Sequence, residues 1–297
     1  MRSRLPAFEY AEARSVDAAL SFLSARGAGA KPLAGGTDLL VAMRMKGARP
    51  SALVNLKTIP GLDKIEGRED GLHIGALVTM QAVASSSEVA REYACLAQAA
   101  SVVGSWQVRC RATLGGNLCN GAPSAETAPP LLVLGAKAAI AEPGGRCQVI
   151  DLERFFHGPG ATECSQGKLL LEVMVPKPEE NLRTIYIKHS PRKAMDIAVV
   201  GVAVALSFDR GGHIIKDARI ALGAVAPTPL RAREAEESLV GRAFTCDVAR
   251  DAGRLAAACA KPISDVRASA EYRLEMIEVL VARALTALVD AGRGGQV

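Results

Sequence analysis

ATLGGNLCNGAPSAETAPPLL, residues 112–132, is dense in Gly, Asn, Ser and Thr yet holds one charged residue, Glu126. A solvated loop of that polarity seldom carries apolar residues at Leu114, Leu118, Ala122 and Ala125 between its polar groups. The mixture is that of a ligand-lining segment, rich in hydrogen-bond donors and low in charge. Toward the N-terminus a second glycine pair occurs in PLAGGTDLL, residues 32–40, where a strand runs into a glycine turn and then a helix that Thr37 can cap. Glycines let successive backbone N–H groups approach an anion without a Cβ in the way, and the helix dipole adds roughly half a positive charge. Taken alone, this pair fits an ordinary strand–turn–helix connection equally well. Neither segment is a G-x-G-x-x-G fingerprint and no G-x-x-x-x-G-K-[ST] occurs, which disfavours Rossmann nicotinamide binding and P-loop phosphoryl transfer. Two separated Gly-Gly segments suit one extended ligand bridging two subdomains, and a dinucleotide with a central pyrophosphate has that shape.

Outward from these segments, SVDAALSFLSA at 15–25 places Val16, Ala19, Leu20 and Leu23 on one side behind Ser15, the pattern of a capped amphipathic helix. ALVNL at 52–56 returns as a strand. Further on, GLHIGALV reads as a strand, followed by a helix beginning near Thr79, a helix around 88–103, the TLGGN segment, a helix near 127–134, a strand at 136–141 and the strand KLLLEVMV at 168–175. PKPEEN at 176–181 is polar and broken by prolines, which marks a boundary. Beyond it, RTIYIKH, DIAVVGVAVALSF and HIIKDARIALGAV read as three strands, with DRGG as one turn, and helical patterns run from about 230 to 290. The expected organisation is an N-terminal subdomain over 1–58, a second subdomain over 59–178, a C-terminal α+β domain over 179–290 with a three-stranded antiparallel sheet and helices, and a frayed tail at 291–297.

Composition narrows the function classes. An apolar content of 49% in 297 residues is enough to bury a substantial core. IAVVGVAVAL at 197–206 is β-branched, broken by Gly201 and far shorter than the roughly 18 residues a membrane span needs, so a buried strand is expected there. The first twenty residues are charged throughout, without the apolar core of a signal peptide, and a cytoplasmic protein with no membrane span is expected. Net charge is +5, but the cations are interleaved with acidic residues and aromatics make up only 4%, which disfavours nucleic-acid binding. Seven cysteines and four histidines are scattered without C-x-x-C pairs or clusters, so no metal site is expected on this chain. G-x-S-x-G and H-E-x-x-H are also absent, and no catalytic residue is assigned.

With AGGTDL at 34–39, GALVTM at 75–80, RCRATLGGNLCNGAPSAETAPPLLVLGA at 109–136 and KHSPRKAMDIAVVGVAV at 188–204, the sequence resembles the FAD-binding medium subunits of molybdenum hydroxylases. That family includes the flavin domain of xanthine dehydrogenase and the flavin subunit of aerobic carbon monoxide dehydrogenase. The likeness covers about residues 5–290, and the two glycine segments, in order and about 75 residues apart, are its most specific part. The resemblance implies a two-part α/β FAD-binding domain of the vanillyl-alcohol-oxidase type, then the C-terminal α+β domain. It also implies that Pro32, Leu33, Ala34, Gly35, Gly36, Thr37, Asp38 and Leu39, with Thr113, Leu114, Gly115, Gly116 and Asn117, wrap the FAD pyrophosphate. Glu126 stands where the family usually has Asp, to accept from a ribose or adenine group. Val103, Leu170 and Lys188 match positions beside the cofactor, with Lys188 a candidate cation at the flavin ring or else a solvated strand-end lysine. Asp196 falls in a loop that approaches the isoalloxazine face or in a simple strand-initiating turn.

The implied activity is an electron relay from [2Fe-2S] clusters on a small iron–sulfur subunit, through FAD on this chain, to NAD, a quinone, oxygen or a protein. The molybdenum cofactor and the main substrate belong to a large subunit, in an assembly of the (αβγ)2 type. The cysteine-rich insertion of the hydroxybenzoyl thioester reductases is absent. Two other readings stand beside this one: a self-sufficient flavoprotein oxidase of the same fold superfamily, and an FAD-free assembly subunit.

Overall fold

Ser15 accepts a hydrogen bond from the Ala18 N–H at 3.1 Å and so starts α1 (Val16–Arg26), with Asp17 in the first turn and Arg26 in the last. Its buried stripe, Ala19, Leu20 and Leu23, covers a three-stranded sheet of β1 (Glu9–Glu12), β2 (Ala30–Leu33) and β3 (Ala52–Asn55). The strand order is β1-β3-β2, and both outer strands run parallel to β3. Glu12 pairs with Asn55, and Asn55 with Leu33, so all three strands end at one edge. α2 (Leu39–Met45) follows β2 across the first glycine pair. The computed structural model describes residues 5–164, 167–209, 212 and 214–293.

A five-stranded antiparallel sheet follows, in the order β4 (Ile65–Arg68), β5 (Gly71–Gly75), β10 (Leu169–Pro176), β6 (Lys137–Glu142) and β7 (Arg146–Asp151). Between β5 and β6 the chain makes α3 (Met80–Ser85), α4 (Ser87–Glu92), α5 (Ala94–Ser101), α6 (Trp106–Arg109), α7 (Leu114–Cys119) and α8 (Ala128–Val133). These helices and the sheet bury the largest core, with Leu72, Ile74, Met80, Leu96, Leu114, Leu118 and Leu131 inaccessible. The helix expected around 88–103 is two helices, broken at Tyr93, whose φ of −129° and ψ of 49° leave the helical region while its side chain is buried. β8 (Phe156–Gly158) and β9 (Ala161–Thr162) form a separate small hairpin.

The C-terminal sheet is antiparallel, in the order β11 (Arg183–His189), β12 (Val200–Phe208), β13 (Ile215–Gly223) and β14 (Leu230–Arg231), so a short fourth strand joins the three expected. Of the expected DRGG turn at 209–212, residues 210 and 211 lie outside the described residues, as do 294–297 of the expected tail. Residues 291–293 belong to the last helix. Every residue of β12 is buried because both faces are covered. Val200, Val202, Val204, Leu206 and Phe208 face a core built with α9 (Arg233–Leu239), α10 (Cys246–Ala258) and α11 (Ala270–Arg293). Ala203 and Ala205 point the other way into the larger core, and their small size lets α8 approach β12 and β13. The apolar run at 197–206 is thus a doubly covered strand, and no described helix is long and apolar enough to cross a membrane.

Candidate cofactor site

The chain leaves β2 at the common edge of the three parallel strands and turns through Gly35 and Gly36. A Cβ on Gly35 would lie 1.9 Å from the carbonyl oxygen of Arg111, so only glycine lets this loop press against the backbone leading into the second glycine segment. Gly36 adds a left-handed φ of +76°. Thr37 does not cap α2, contrary to expectation: the N-cap position is Asp38, which makes no side-chain capping bond. The helix is only seven residues long, so it contributes little dipole. Instead, the backbone N–H groups of Gly35, Gly36, Thr37, Asp38 and Leu39 donate to no acceptor among the described residues. Five donors in a row on a partly exposed loop are a ready set for an anionic oxygen ligand. Desolvation pushes the Asp38 carboxyl up, and Lys46 opposes it.

The second segment is not the open loop its composition suggests. Leu114–Cys119 is helical, started by Thr113, whose Oγ1 accepts from Gly116 N–H at 3.0 Å. Two glycines cost a helix about 1 kcal/mol each in propensity, and close packing overrides that here. Leu114 N–H donates to the Val78 carbonyl and Gly115 N–H to the Ala76 carbonyl, both at 2.9 Å. A Cβ on Gly115 would stand 2.7 Å from Ala76 Cβ and O. Asn117 Oδ1 accepts from the Thr127 hydroxyl at 2.6 Å, which leaves the amide N–H2 of Asn117 free to turn outward.

A third cluster joins residues distant in sequence. The Lys188 ammonium donates to Glu126 Oε1 at 2.8 Å, to the Val102 carbonyl at 3.0 Å and to the Asp196 carbonyl at 2.7 Å. Both side chains are nearly inaccessible, at 7% and 11%. All three N–H bonds of the ammonium are therefore used inside the protein, and Lys188 is not a solvated strand-end lysine. The Glu126 carboxylate answers it. The Asp196 carboxylate pairs with Arg192, and Met195 N–H donates to the Gly104 carbonyl, so the 190–197 turn is tied to the helical layer. Tyr186 lies close by, its phenol pushed up by burial and then by Glu126. Val103 is buried and its carbonyl accepts from Arg109 at 3.2 Å. Leu170 is buried in β10, the strand against which α7 packs.

The structure thus brings Ala34–Gly36 together with Arg111–Ala112, and Glu126 together with Lys188, Val102 and Asp196. Pro32 and Leu33 serve as strand residues opposite Val54 and Asn55. Two cations beside the first loop escaped the sequence reading. Lys57 Nζ donates to the Ala34 carbonyl at 2.9 Å, and Arg111 directly precedes the second segment. Their place at the exits of β3 and α6, next to the glycine pairs, was the available signal.

Glycine close contacts, a row of free N–H donors and a second segment low in charge fit a dinucleotide, and the comparisons with known proteins agree. Residues 6–178 match the FAD binding domain in molybdopterin dehydrogenase, and residues 185–288 match the CO dehydrogenase flavoprotein C-terminal domain. The carbon monoxide dehydrogenase medium chain of Hydrogenophaga pseudoflava is 33% identical over 95% of this chain and 97% of its own length. The xanthine dehydrogenase FAD-binding subunit of Escherichia coli O157:H7 is 33% identical over 89% and 90%. Among solved structures, carbon monoxide dehydrogenase from Hydrogenophaga pseudoflava superposes with a TM-score of 0.92 at 33% identity, covering 96% of this chain and 98% of that one. Quinoline 2-oxidoreductase from Pseudomonas putida 86 gives 0.91 at 30% identity, covering 97% and 99%. The chain belongs to the family of FAD-binding medium subunits of the molybdopterin dehydrogenases.

Proposed function

We propose that this chain is the FAD-carrying electron-transfer subunit of a heteromeric molybdenum hydroxylase, working with a small iron–sulfur chain and a large molybdenum-cofactor chain. The observation that carries the reading is the run of free N–H groups over Gly35–Leu39, held by Gly35 against the second glycine segment. When bound, FAD supplies exchange between one-electron carriers and a two-electron acceptor.

The chain's own residues then have defined tasks. The N–H groups of Gly35–Leu39 and the Thr37 hydroxyl hold diphosphate oxygens, while Leu33 and Ala34 set the loop's exit from the sheet. Thr113 and Leu114–Gly116 fix the wall against which the first loop rests, and Asn117 offers its amide. Val103 and Leu170 supply apolar surface. Lys188 and Glu126 work as a pair: the ammonium holds the carboxylate in place and ties down the 190–197 turn, with no N–H left over for the flavin ring. The working divisions 1–58, 59–178 and 179–290 are supported by three sheets spanning 9–55, 65–176 and 183–231. An (αβγ)2 assembly, and an acceptor drawn from NAD, a quinone, oxygen or a protein, follow from family resemblance alone.

The test is an absorbance spectrum of the chain purified with its partner chains, followed by acid release and identification of the flavin. Stoichiometric FAD is expected. A colourless chain in an intact complex contradicts the reading and leaves an assembly role.

A further inference from the structure

β1, β2 and β3 are parallel and end in register, so whatever follows their last residues gathers at one edge. Ligands of open parallel sheets bind outside the carboxyl ends of the strands. Lys57 emerges there, two residues beyond β3, and its ammonium is seated on the Ala34 carbonyl at 2.9 Å. One N–H of the three is used in that bond, leaving two. Arg111 reaches the same place from the other side, since its carbonyl is the group on which Gly35 rests. Its guanidinium is exposed and makes no ion pair or hydrogen bond among the described residues.

The two cations feel each other. Desolvation pushes the Lys57 ammonium pKa down, and the charge of Arg111 pushes it further, while Glu12 opposes them. A surface lysine ordinarily swings away from such repulsion, but the bond to Ala34 keeps this one in place. The one carboxylate on the loop, Asp38, is opposed by Lys46. A seated Lys57 and a nearby, unpaired Arg111 beside five unpartnered N–H groups are complementary to a ligand with two adjacent negative charges.

We propose that Lys57 and Arg111 form a cationic clamp on the diphosphate of the bound dinucleotide, adding charge to a cradle that otherwise offers only neutral N–H donors. The proposal rests on the FAD reading and deepens it. Lys57 and Arg111 are positioning residues, acting on the phosphates and not on the flavin ring.

The test titrates FAD into the flavin-free full chain at about 0.05 and 0.5 M salt, with ADP as competitor, for the wild type, Lys57→Met, Arg111→Met and Lys57→Arg. Each Met variant should weaken FAD and ADP about tenfold and flatten the salt dependence, and Lys57→Arg should restore most of the affinity. The melting temperature of the flavin-free chain should stay at the wild-type value, because both side chains are exposed. If the wild type binds FAD and the Met variants bind it equally well with the same salt dependence, the clamp is refuted while the FAD reading stands. Weaker binding accompanied by a lower melting temperature would assign these residues to packing and also refute the clamp. If the wild type binds neither FAD nor ADP, the FAD reading itself fails and the clamp with it.

Discussion

The pairs Gly35–Gly36 and Gly115–Gly116 are the same dipeptide, yet their backbones are committed differently. From Gly35 to Leu39 no N–H has an acceptor among the described residues, whereas Leu114, Gly115, Gly116 and Asn117 donate to Val78, Ala76, the Thr113 hydroxyl and the Thr113 carbonyl. The first pair is a loop whose donors are left over for a ligand. The second is a helix turn locked onto the strand–helix junction at 76–80, and its glycines serve close packing. Identical motifs therefore predict contact with the cofactor, but not which of them supplies the hydrogen bonds. Substitutions around the second segment should cost stability with or without flavin, while changes in the first should cost flavin and little stability.

The largest effect is expected at the buried pair of Lys188 with Glu126, which ties the second segment to β11. Lys188→Met leaves Glu126 without its cation and should lower unfolding free energy by about 3–5 kcal/mol, measured by urea denaturation of flavin-free and flavin-loaded protein. Adding Glu126→Gln to that variant should recover part of the loss, because the unpaired charge is gone. Gly115→Ala comes next: its new Cβ meets Ala76 at 2.7 Å, and a loss of about 2–3 kcal/mol is expected in the same experiment. Thr113→Val removes the cap of α7 and should cost about 1 kcal/mol, seen as a lower melting temperature. If any of these three destabilised only the flavin-loaded protein, the distinction between the two segments would fail.

A smaller effect, at a site outside both segments, provides a control. The Arg267 N–H and guanidinium, with Ala268 N–H and Arg273, hold the Asp265 carboxyl at about 2, below the 3.8 of the free group. A depressed carboxyl pKa contributes stability that is complete above about pH 4 and drains away as pH falls toward 2. Asp265→Asn should therefore lower the urea midpoint at neutral pH and flatten its decline between pH 4 and 2, with flavin content unaffected. Asp265 also anchors Arg273, whose guanidinium donates to the Val199 and Ala224 carbonyls and so ties the start of α11 to β12 and the end of β13.

Much of this was legible before the structure, where one physical signal dominated. Ser15 and the stripe behind it marked α1, and the β-branched run at 197–206 marked a buried strand, whose coverage on both faces the structure adds. α7 was not legible as a helix, because two glycines lower helix propensity and the bonds to Ala76 and Val78 that overcome this come from another element. β7 passed unnoticed since its residues are mostly exposed and show no apolar alternation. Glu126 and Lys188 were each singled out, but nothing in a single sequence joins residues 62 apart into an ion pair. Lys57 and Arg111 were not singled out by sequence, because only the parallel sheet and the contact at Gly35 put them at one edge.

The most direct test of the account compares the FAD content of the complex purified with wild-type chain and with Gly35→Ala, whose added Cβ collides with the Arg111 carbonyl at 1.9 Å and forces the first loop off its seat. The account predicts stoichiometric FAD in the wild-type complex and almost none in the variant, with all subunits still associated and the chain still folded by circular dichroism. Equal FAD in both, or none in the wild type, would contradict it.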